Sequence, residues 1–246
     1  MKLIGTVTSV FTLSAFIVAA QAGETKTGFV NKVHKGTDGD SKYVVFVPHG
    51  YKGDKEFPLI LFLHGAGERG DDGQLPVMQG IANGGIKFKN NEKAFPFFVI
   101  FPQCKVKSNW KAGGADANRA LAILEDVQMA YKIDEKRLYL TGLSMGGFGT
   151  WSLAAAHPNK WAAIAPICGG GDLKDADKIK QIPCWCFHGD QDKAVNVKLS
   201  RDMIAALKKA GGSPRYTELP FVGHNSWDSA YVTPELYQWF LKQSTK

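Results

Sequence analysis

The stretch Arg137-Leu-Tyr-Leu-Thr-Gly-Leu-Ser-Met-Gly-Gly147 joins a short apolar strand to a helix through a serine that is flanked by glycines. Residues 138–141 have the aromatic and branched side chains of a buried strand, and the helical segment that follows contains Trp151. A turn this tight strains the serine backbone, and glycines at positions 142 and 146 let neighbouring chain segments pass close by. The spacing therefore predicts that the Ser144 hydroxyl stands clear of a sheet, at a helix N-terminus that favours negative charge.

Strand-like runs of the same kind alternate with helical patterns along the chain. The runs are Tyr43–Val47, Leu59–Leu63, Phe97–Phe101, Arg137–Thr141, Ala162–Ile167, Trp185–Phe187 and Arg215–Leu219. Several of them lack polar alternation, which is typical of strands covered on both faces. Residues 28–47 hold two strand-like runs without a helix between them, which predicts an antiparallel pair at one edge. The remainder predicts a mostly parallel sheet in one three-layer α/β domain, with a helix that begins at Asp116 as its N-cap.

The first 22 residues have the pattern of an export signal. Lys2 supplies a positive start, the run Leu3–Ala20 is uncharged, and Ala20-Gln21-Ala22 offers small residues at the two positions that a signal peptidase inspects. A membrane anchor is disfavoured because threonines and serines dilute the apolar run. We therefore expect a signal peptide over residues 1–22, a single catalytic domain over residues 23–246, and a secreted or periplasmic protein that keeps no membrane contact once the signal is removed.

Composition and charge exclude several classes of protein. Hydrophobic residues make up 44% of the 246 residues and charged residues 22%, which excludes a disordered, collagen-like or coiled-coil chain. The formal net charge is +7, but the basic residues are scattered, with no run longer than the pair Lys208-Lys209. We therefore expect no nucleic-acid partner.

A serine hydroxyl is a weak nucleophile alone and needs a base, which in turn needs a carboxylate to orient it. On a strand–turn–helix of this kind the acid and then the histidine follow the serine in chain order. His157 ends the helix after the turn and points away from the site, and His188 closes a strand and favours a structural role. His224 lies in the loop between the last strand and the last helix, which predicts it as the base of Ser144.

The acid is expected in the turn that follows the strand-like run Trp185–Phe187. This turn reads His-Gly-Asp-Gln-Asp over residues 188–192. Both Asp190 and Asp192 are candidates. Asp192 is favoured because it lies two residues deeper in the turn and is followed by Ala194-Val195, which would pack the loop down. The other downstream aspartates, at positions 172, 175, 177 and 228, are weaker candidates.

Two backbone N–H groups are predicted to hold an oxyanion. One is that of Met145, directly after the serine. The other comes from the glycine-rich loop His64-Gly-Ala-Gly-Glu-Arg-Gly70, which follows the run Leu59–Leu63. In this loop Ala66 is assigned as the donor, with Gly67 as its substitute. The His64 side chain is expected to brace the loop.

The substrate pocket is less clearly marked in the sequence. Trp110, after the fourth strand, and Trp227, beside His224, are candidate pocket walls, although ordinary packing explains either residue equally well. Only residues 168–183 lie between the end of the run Ala162–Ile167 and the start of the next strand. This short connection predicts that no cap domain covers the site and that the site is open and shallow.

Taken together, these motifs resemble the α/β-hydrolase superfamily. More narrowly they are similar to its secreted esterase branch, often labelled predicted peptidase or phospholipase/carboxylesterase, near the dienelactone-hydrolase and polyhydroxybutyrate-depolymerase-like esterases. The resemblance extends from about Leu59 to the C-terminus and implies Ser144, Asp192 and His224 as the catalytic triad. It rests on residues 63–70, Pro102-Gln103, residues 142–149, residues 188–192 and Gly223-His-Asn-Ser-Trp227.

The resemblance implies a secreted serine carboxylic ester hydrolase that cleaves short acyl or aryl esters through an acyl-enzyme. Its partner would be a small-molecule or polymer-displayed ester, with feruloyl and acetyl esters of polysaccharide as candidates. The alternative is a serine peptidase of the prolyl-oligopeptidase-like type, but such peptidases usually carry an extra propeller or cap domain. A non-catalytic binding relative is disfavoured because the serine, acid and histidine are all present.

No metal or organic cofactor is expected for this chemistry. The acidic clusters Asp38-Gly39-Asp40 and Asp71-Asp72-Gly73 are explained by turn formation. Small buried side chains are the favoured interpretation of the four cysteines, with one disulfide that involves Cys104 or Cys168 left open. The four are Cys104, Cys168, Cys184 and Cys186.

Overall fold

The computed structural model describes residues 25–246, so the predicted signal peptide lies outside the described residues. A single eight-stranded sheet forms the centre of this part of the chain. Its strands are β1 (Gly28–Gly36), β2 (Gly39–Val47), β3 (Phe57–Leu63), β4 (Phe98–Phe101), β5 (Ile133–Leu143), β6 (Ala163–Ile167), β7 (Trp185–Gly189) and β8 (Arg215–Leu219).

The strand order is β1-β2-β4-β3-β5-β6-β7-β8. β1 and β2 form an antiparallel hairpin at one edge, and β2 pairs antiparallel with β4. All other neighbouring strands are parallel, so β3 to β8 point the same way. The predicted mostly parallel sheet with an antiparallel N-terminal edge is therefore confirmed.

Helices cover both faces of the sheet. The elements are α1 (Ala115–Ala130), α2 (Met145–Ala156), α3 (Ala176–Ile179), α4 (Lys198–Lys209), α5 (Trp227–Tyr231) and α6 (Pro234–Leu241). Side chains from α1 to α4 share one buried cluster with Leu59, Leu61 and Leu63, whereas α5 and α6 share a second with Ile60 and Phe62. Because alternate residues of β3 face opposite layers, the run is apolar throughout, as expected of a doubly covered strand.

The predicted N-cap of α1, Asp116, is wrong by two residues. The helix begins at Ala115 with Gly114 as its N-cap, and Asp116 lies inside the first turn, where it is buried and forms an ion pair with Arg119. The Asp116 carboxylate still lies near the positive end of the helix. It pairs with the Arg119 guanidinium, one helical turn later, and does not cap the first backbone N–H groups.

The carboxyl ends of β3, β5, β6, β7 and β8 lie at one edge of the sheet, and the loops that leave them meet there. The segment between β6 and β7 holds only a turn of 3₁₀ helix, Leu173–Asp175, and the one-turn helix α3. The absence of a cap domain from the whole protein stays a prediction. Among residues 25–246, no helix is long and apolar enough to cross a membrane.

The glycine at position 146 is required by the close approach of β3 to the start of α2. A Cβ atom on this residue would overlap the backbone carbonyl of Leu63, which cannot move without breaking the sheet. We expect Gly146→Ala to lower the free energy of unfolding by about 3 kcal/mol or more. Urea titration of both proteins measures the loss. Gly50→Ala is the control because a Cβ there meets open space, and an equal effect of the two substitutions would contradict this packing.

Candidate active site

Ser144 adopts a backbone conformation that few non-glycine residues adopt, with φ 53° and ψ −115°. Its N–H donates to the Ile167 carbonyl at 3.0 Å, and its carbonyl accepts from the Phe148 N–H at 3.0 Å. These bonds tie the strained residue to β6 and to the first turn of α2. The side chain is therefore presented at the N-terminus of α2, as predicted, and is half-buried.

His224 lies between Ser144 and Asp192. Its Nε2 is 2.9 Å from the Ser144 hydroxyl oxygen, and its Nδ1 is 2.7 Å from Asp192 Oδ2. A carboxylate only accepts hydrogen bonds, so Nδ1 carries the hydrogen and Nε2 is free to accept one from the serine. The imidazole is 28% exposed whereas the Asp192 side chain is fully buried, so the ring is accessible from solvent and its carboxylate partner is shielded from water.

Asp192 is held by donors on both oxygens. Its Oδ1 accepts from the backbone N–H groups of Ala194 at 2.9 Å and Val195 at 2.8 Å, and its Oδ2 accepts from His224. Burial alone would raise the pKa of Asp192, but the bonds from His224 and the two N–H groups outweigh it, and the pKa lies below its usual value. The carboxyl is therefore ionised at neutral pH.

Asp190, the other candidate acid, does not reach His224. Its N–H donates to the Leu219 carbonyl, and its Oδ1 is buried with no hydrogen-bond partner in the part of the chain that the structure describes. The geometry thus brings Asp192, and not Asp190, to the His224 ring.

The two N–H groups predicted to hold an oxyanion are both free to donate. Within residues 25–246, neither the Ala66 nor the Met145 N–H has an acceptor among the hydrogen bonds of the protein. Met145 occupies the first position of α2, and Ala66 begins a 3₁₀ turn, so both amides lie at helix starts where internal partners are lacking. Their role toward a bound substrate stays a prediction.

The loop before Ala66 is braced by His64, as the sequence indicated. His64 is fully buried, its Nδ1 donates to the Gly65 carbonyl at 2.6 Å, and its Nε2 accepts from the Cys104 N–H at 2.9 Å. The Trp110 indole N–H donates to the His64 carbonyl at 3.0 Å. One neutral imidazole and one indole therefore fix the path of the chain into the turn.

Protonation of His64 should destabilise the protein in mild acid. Burial lowers the pKa of His64 to about 4, whereas the unfolded chain binds this proton near pH 6.5. The unfolded state thus binds more protons between these pH values, and stability falls as the pH falls through this window. Between pH 7 and pH 5, we expect the wild type to lose about 2 kcal/mol more unfolding free energy than His64→Gln. Urea titrations at both pH values test this, and parallel pH dependences would contradict it.

A cavity of about 760 Å³ opens beside Ser144. Its walls are mainly apolar and aromatic, with Trp110, Met145, Phe148, Trp151, Leu199 and Met203 among them. Trp110 therefore lies in the wall, as the sequence suggested. Trp227 does not line this cavity but packs edge-to-face on the His224 ring, with the ring centroids 5.3 Å apart.

Cys168, Asp192 and His224 place atoms of metal-ligand type within 4.8 Å of one another. Asp192 and His224 already bond to each other, and burial raises the pKa of the Cys168 thiol to about 12, so the thiolate that a metal prefers is strongly disfavoured. The cluster therefore fits a metal poorly. All four cysteines are buried and free, so the disulfide left open for Cys104 or Cys168 is not formed.

The sequence did not predict one residue that contacts Asp192. His188 was expected to be structural, but its Nε2 lies 3.1 Å from Asp192 Oδ2, beside the bond from His224. The signal available in the sequence was its position at the end of β7, four residues before Asp192, although spacing alone does not show which way the ring turns.

No protein-family model matches the chain. A solved thermostable esterase is 34% identical, with a TM-score of 0.78 over 88% of this chain and 63% of that protein. A bifunctional acetylxylan esterase/xylanase from Neocallimastix patriciarum is 32% identical over 142 residues, or 56% of this chain and 20% of the relative. A probable feruloyl esterase C from Aspergillus terreus is 26% identical over 69% of this chain and 62% of the relative.

In each case the chain spans less than two thirds of the relative's length. The match to the solved esterase nevertheless covers 88% of this chain. The strand order, the strained serine between β5 and α2, and this similarity agree with one another, and the chain has the α/β-hydrolase fold.

Proposed function

We propose that the chain is a serine carboxylic ester hydrolase that works through an acyl-enzyme. The observation that carries the proposal is the continuous hydrogen-bonded series from Ser144 through His224 to the buried Asp192, at the N-terminus of α2. The three residues have the order and the contacts that nucleophilic catalysis by serine requires. The esterase names of the relatives support the same class of reaction.

In the proposed reaction, the Ser144 oxygen attacks the ester carbonyl while His224 Nε2 takes the hydroxyl proton. Asp192 keeps the hydrogen of His224 on Nδ1 and stabilises the imidazolium that forms. The Ala66 and Met145 N–H groups donate to the oxyanion, and the alcohol leaves with the proton from His224. Water then gives a proton to His224 and attacks the acyl carbon, the bond to the Ser144 oxygen breaks, and His224 returns the proton to that oxygen as the acid leaves.

Short acyl or aryl esters are the proposed substrates, including acetyl or feruloyl groups displayed on a polysaccharide. The apolar and aromatic wall of the cavity beside Ser144 offers a surface for a flat acyl group. The short segment between β6 and β7 supports an approach by an ester attached to a large molecule. The names acetylxylan esterase and feruloyl esterase among the relatives support the same substrates.

We also propose that the protein acts outside the cytoplasm as a single catalytic domain over residues 23–246. The export pattern of residues 1–22 supports this, and one relative is described as an uncharacterized secreted protein.

A panel of substrates tests the proposed function. We expect turnover of p-nitrophenyl acetate, p-nitrophenyl butyrate and methyl ferulate, and negligible cleavage of a chromogenic peptide amide. Cleavage of the amide without ester turnover would replace the proposal with a serine peptidase. Failure to turn over any of the four compounds would favour a non-catalytic binding protein.

A further inference from the structure

The Asp192 carboxylate is shared between two histidines. His188, at the carboxyl end of β7, is fully buried, and its Nε2 lies 3.1 Å from Asp192 Oδ2 and 3.0 Å from the Val195 carbonyl oxygen. Both neighbours are acceptors, so Nε2 carries a hydrogen whether the ring is neutral or charged. This ring therefore donates to the same oxygen that receives the His224 Nδ1–H.

The other side of the His188 ring is anchored in the core. Its Nδ1 lies 2.7 Å from the Ser200 hydroxyl oxygen, in the first turn of α4, and that hydroxyl lies 2.9 Å from the Gly169 carbonyl after β6. The series of contacts that begins at Ser144 thus continues beyond Asp192 into α4 and β6. Motion of the His188 ring is restricted at both nitrogens.

With His188 included, Asp192 receives four hydrogen bonds. Two backbone N–H groups donate to Oδ1, and two imidazoles donate to Oδ2. The two backbone bonds hold only Oδ1, so the contacts of Oδ2 are with the two imidazoles.

The electrostatic surroundings favour a neutral donor at this position. Burial lowers the pKa of His188 below its usual value. The titratable groups around it are Asp192 in the loop after β7, His224 after β8, Cys186 on β7, Cys168 after β6 and Glu218 on β8. Glu218 is paired with Arg201, and burial raises the pKa of both thiols, so Asp192 is the anion that His188 faces.

We infer that His188 is a positioning residue for the proposed ester hydrolysis: its Nε2–H holds the Asp192 carboxylate in the orientation that His224 needs. The inference rests on the proposed function. It also implies that His188 withdraws part of the carboxylate's charge from His224, because the two rings share one oxygen.

Replacement of His188 by leucine tests this role. We expect kcat for p-nitrophenyl acetate to fall by about 10- to 100-fold, as for loss of a hydrogen bond to a charged group, with little change in KM. The acid limb of the kcat/KM profile should move to higher pH, since His224 then has Oδ2 to itself. His188→Gln, which can place an N–H near the position of Nε2, should recover much of the loss in kcat.

His34→Leu is the matched control. His34 also bonds a carboxylate, that of Asp126 at 2.6 Å, but it lies on β1 at the opposite edge of the sheet. A merely structural loss should lower the stability of both leucine variants and leave the pH profile in place. Wild-type kcat and an unmoved acid limb in a folded His188→Leu protein would overturn the inference, even though the proposed function would stand.

Long-range ¹H–¹⁵N NMR spectra of the labelled wild-type protein provide a test that needs no turnover. At neutral pH we expect His188 to carry its hydrogen on Nε2 and His224 on Nδ1, with His188 assigned from the His188→Gln spectrum. A His188 ring that is protonated only on Nδ1 would overturn the inference. Absence of ester turnover in the wild type would instead overturn the proposed function. The spectra would then still show whether His188 Nε2 carries the hydrogen that it donates to Asp192.

Discussion

Replacement of Ser144 by alanine is expected to lower kcat for p-nitrophenyl acetate by about 10⁴-fold or more. The substitution removes the only protein atom that bonds to the acyl group in the proposed mechanism, and the helix N-terminus and free N–H groups cannot replace it. Binding should be less affected, because the cavity walls remain. Initial rates at saturating ester, corrected for uncatalysed hydrolysis, measure the effect.

The serine at position 213 supplies the control for this experiment. It is exposed and precedes β8, whose opposite end faces the site. Ser213→Ala should hydrolyse the ester at the wild-type rate. If Ser144→Ala kept more than about a tenth of wild-type turnover, Ser144 would not be the nucleophile.

The second large effect is expected for Asp192→Asn. The two N–H groups of Ala194 and Val195 require an oxygen at the Oδ1 position, so the asparagine amide nitrogen must take the Oδ2 position and face His224. An amide N–H opposite Nδ1 forces the imidazole hydrogen onto Nε2, which then cannot accept the serine proton. We expect kcat to fall by about 10⁴-fold at neutral pH while the fold is retained.

Asp190→Asn makes the same chemical change two residues away and is the matched control. Asp190 does not contact His224, so the expected loss is less than about tenfold. Rates of both variants against the same ester, with unfolding midpoints measured alongside, compare the two acids. The reverse order of activities would show that the loop rearranges to use Asp190.

The strand-to-helix turn at Ser144 illustrates why much of this fold is predictable from sequence. Its glycines are dictated by local sterics, and the continuous apolar runs follow from strands covered on both faces. The order of acid and histidine along the chain then limits the candidates to a few loops at one edge of the sheet. Ser144, His224 and Asp192 could therefore be named before their distances were known.

The features that escaped prediction depend on tertiary orientation. Whether His188 faces the core or the Asp192 carboxylate is decided by the packing of α4 and by its Ser200 hydroxyl, which lies 12 residues away. Likewise, Trp227 follows His224 closely in sequence but turns its ring onto the imidazole rather than toward the cavity. Local spacing carries no information about either orientation, because several rotamers are open to each side chain before the neighbouring elements pack.

The central claim, that Ser144 is a nucleophile activated by His224 and Asp192, is tested most directly by covalent labelling with a fluorophosphonate. Intact-mass spectrometry of the wild-type protein should show one adduct, and peptide mapping should place it on Ser144. Labelling should be absent in Ser144→Ala and much slower in Asp192→Asn. A wild-type protein that stays unlabelled, or an adduct that persists in Ser144→Ala, would contradict the account.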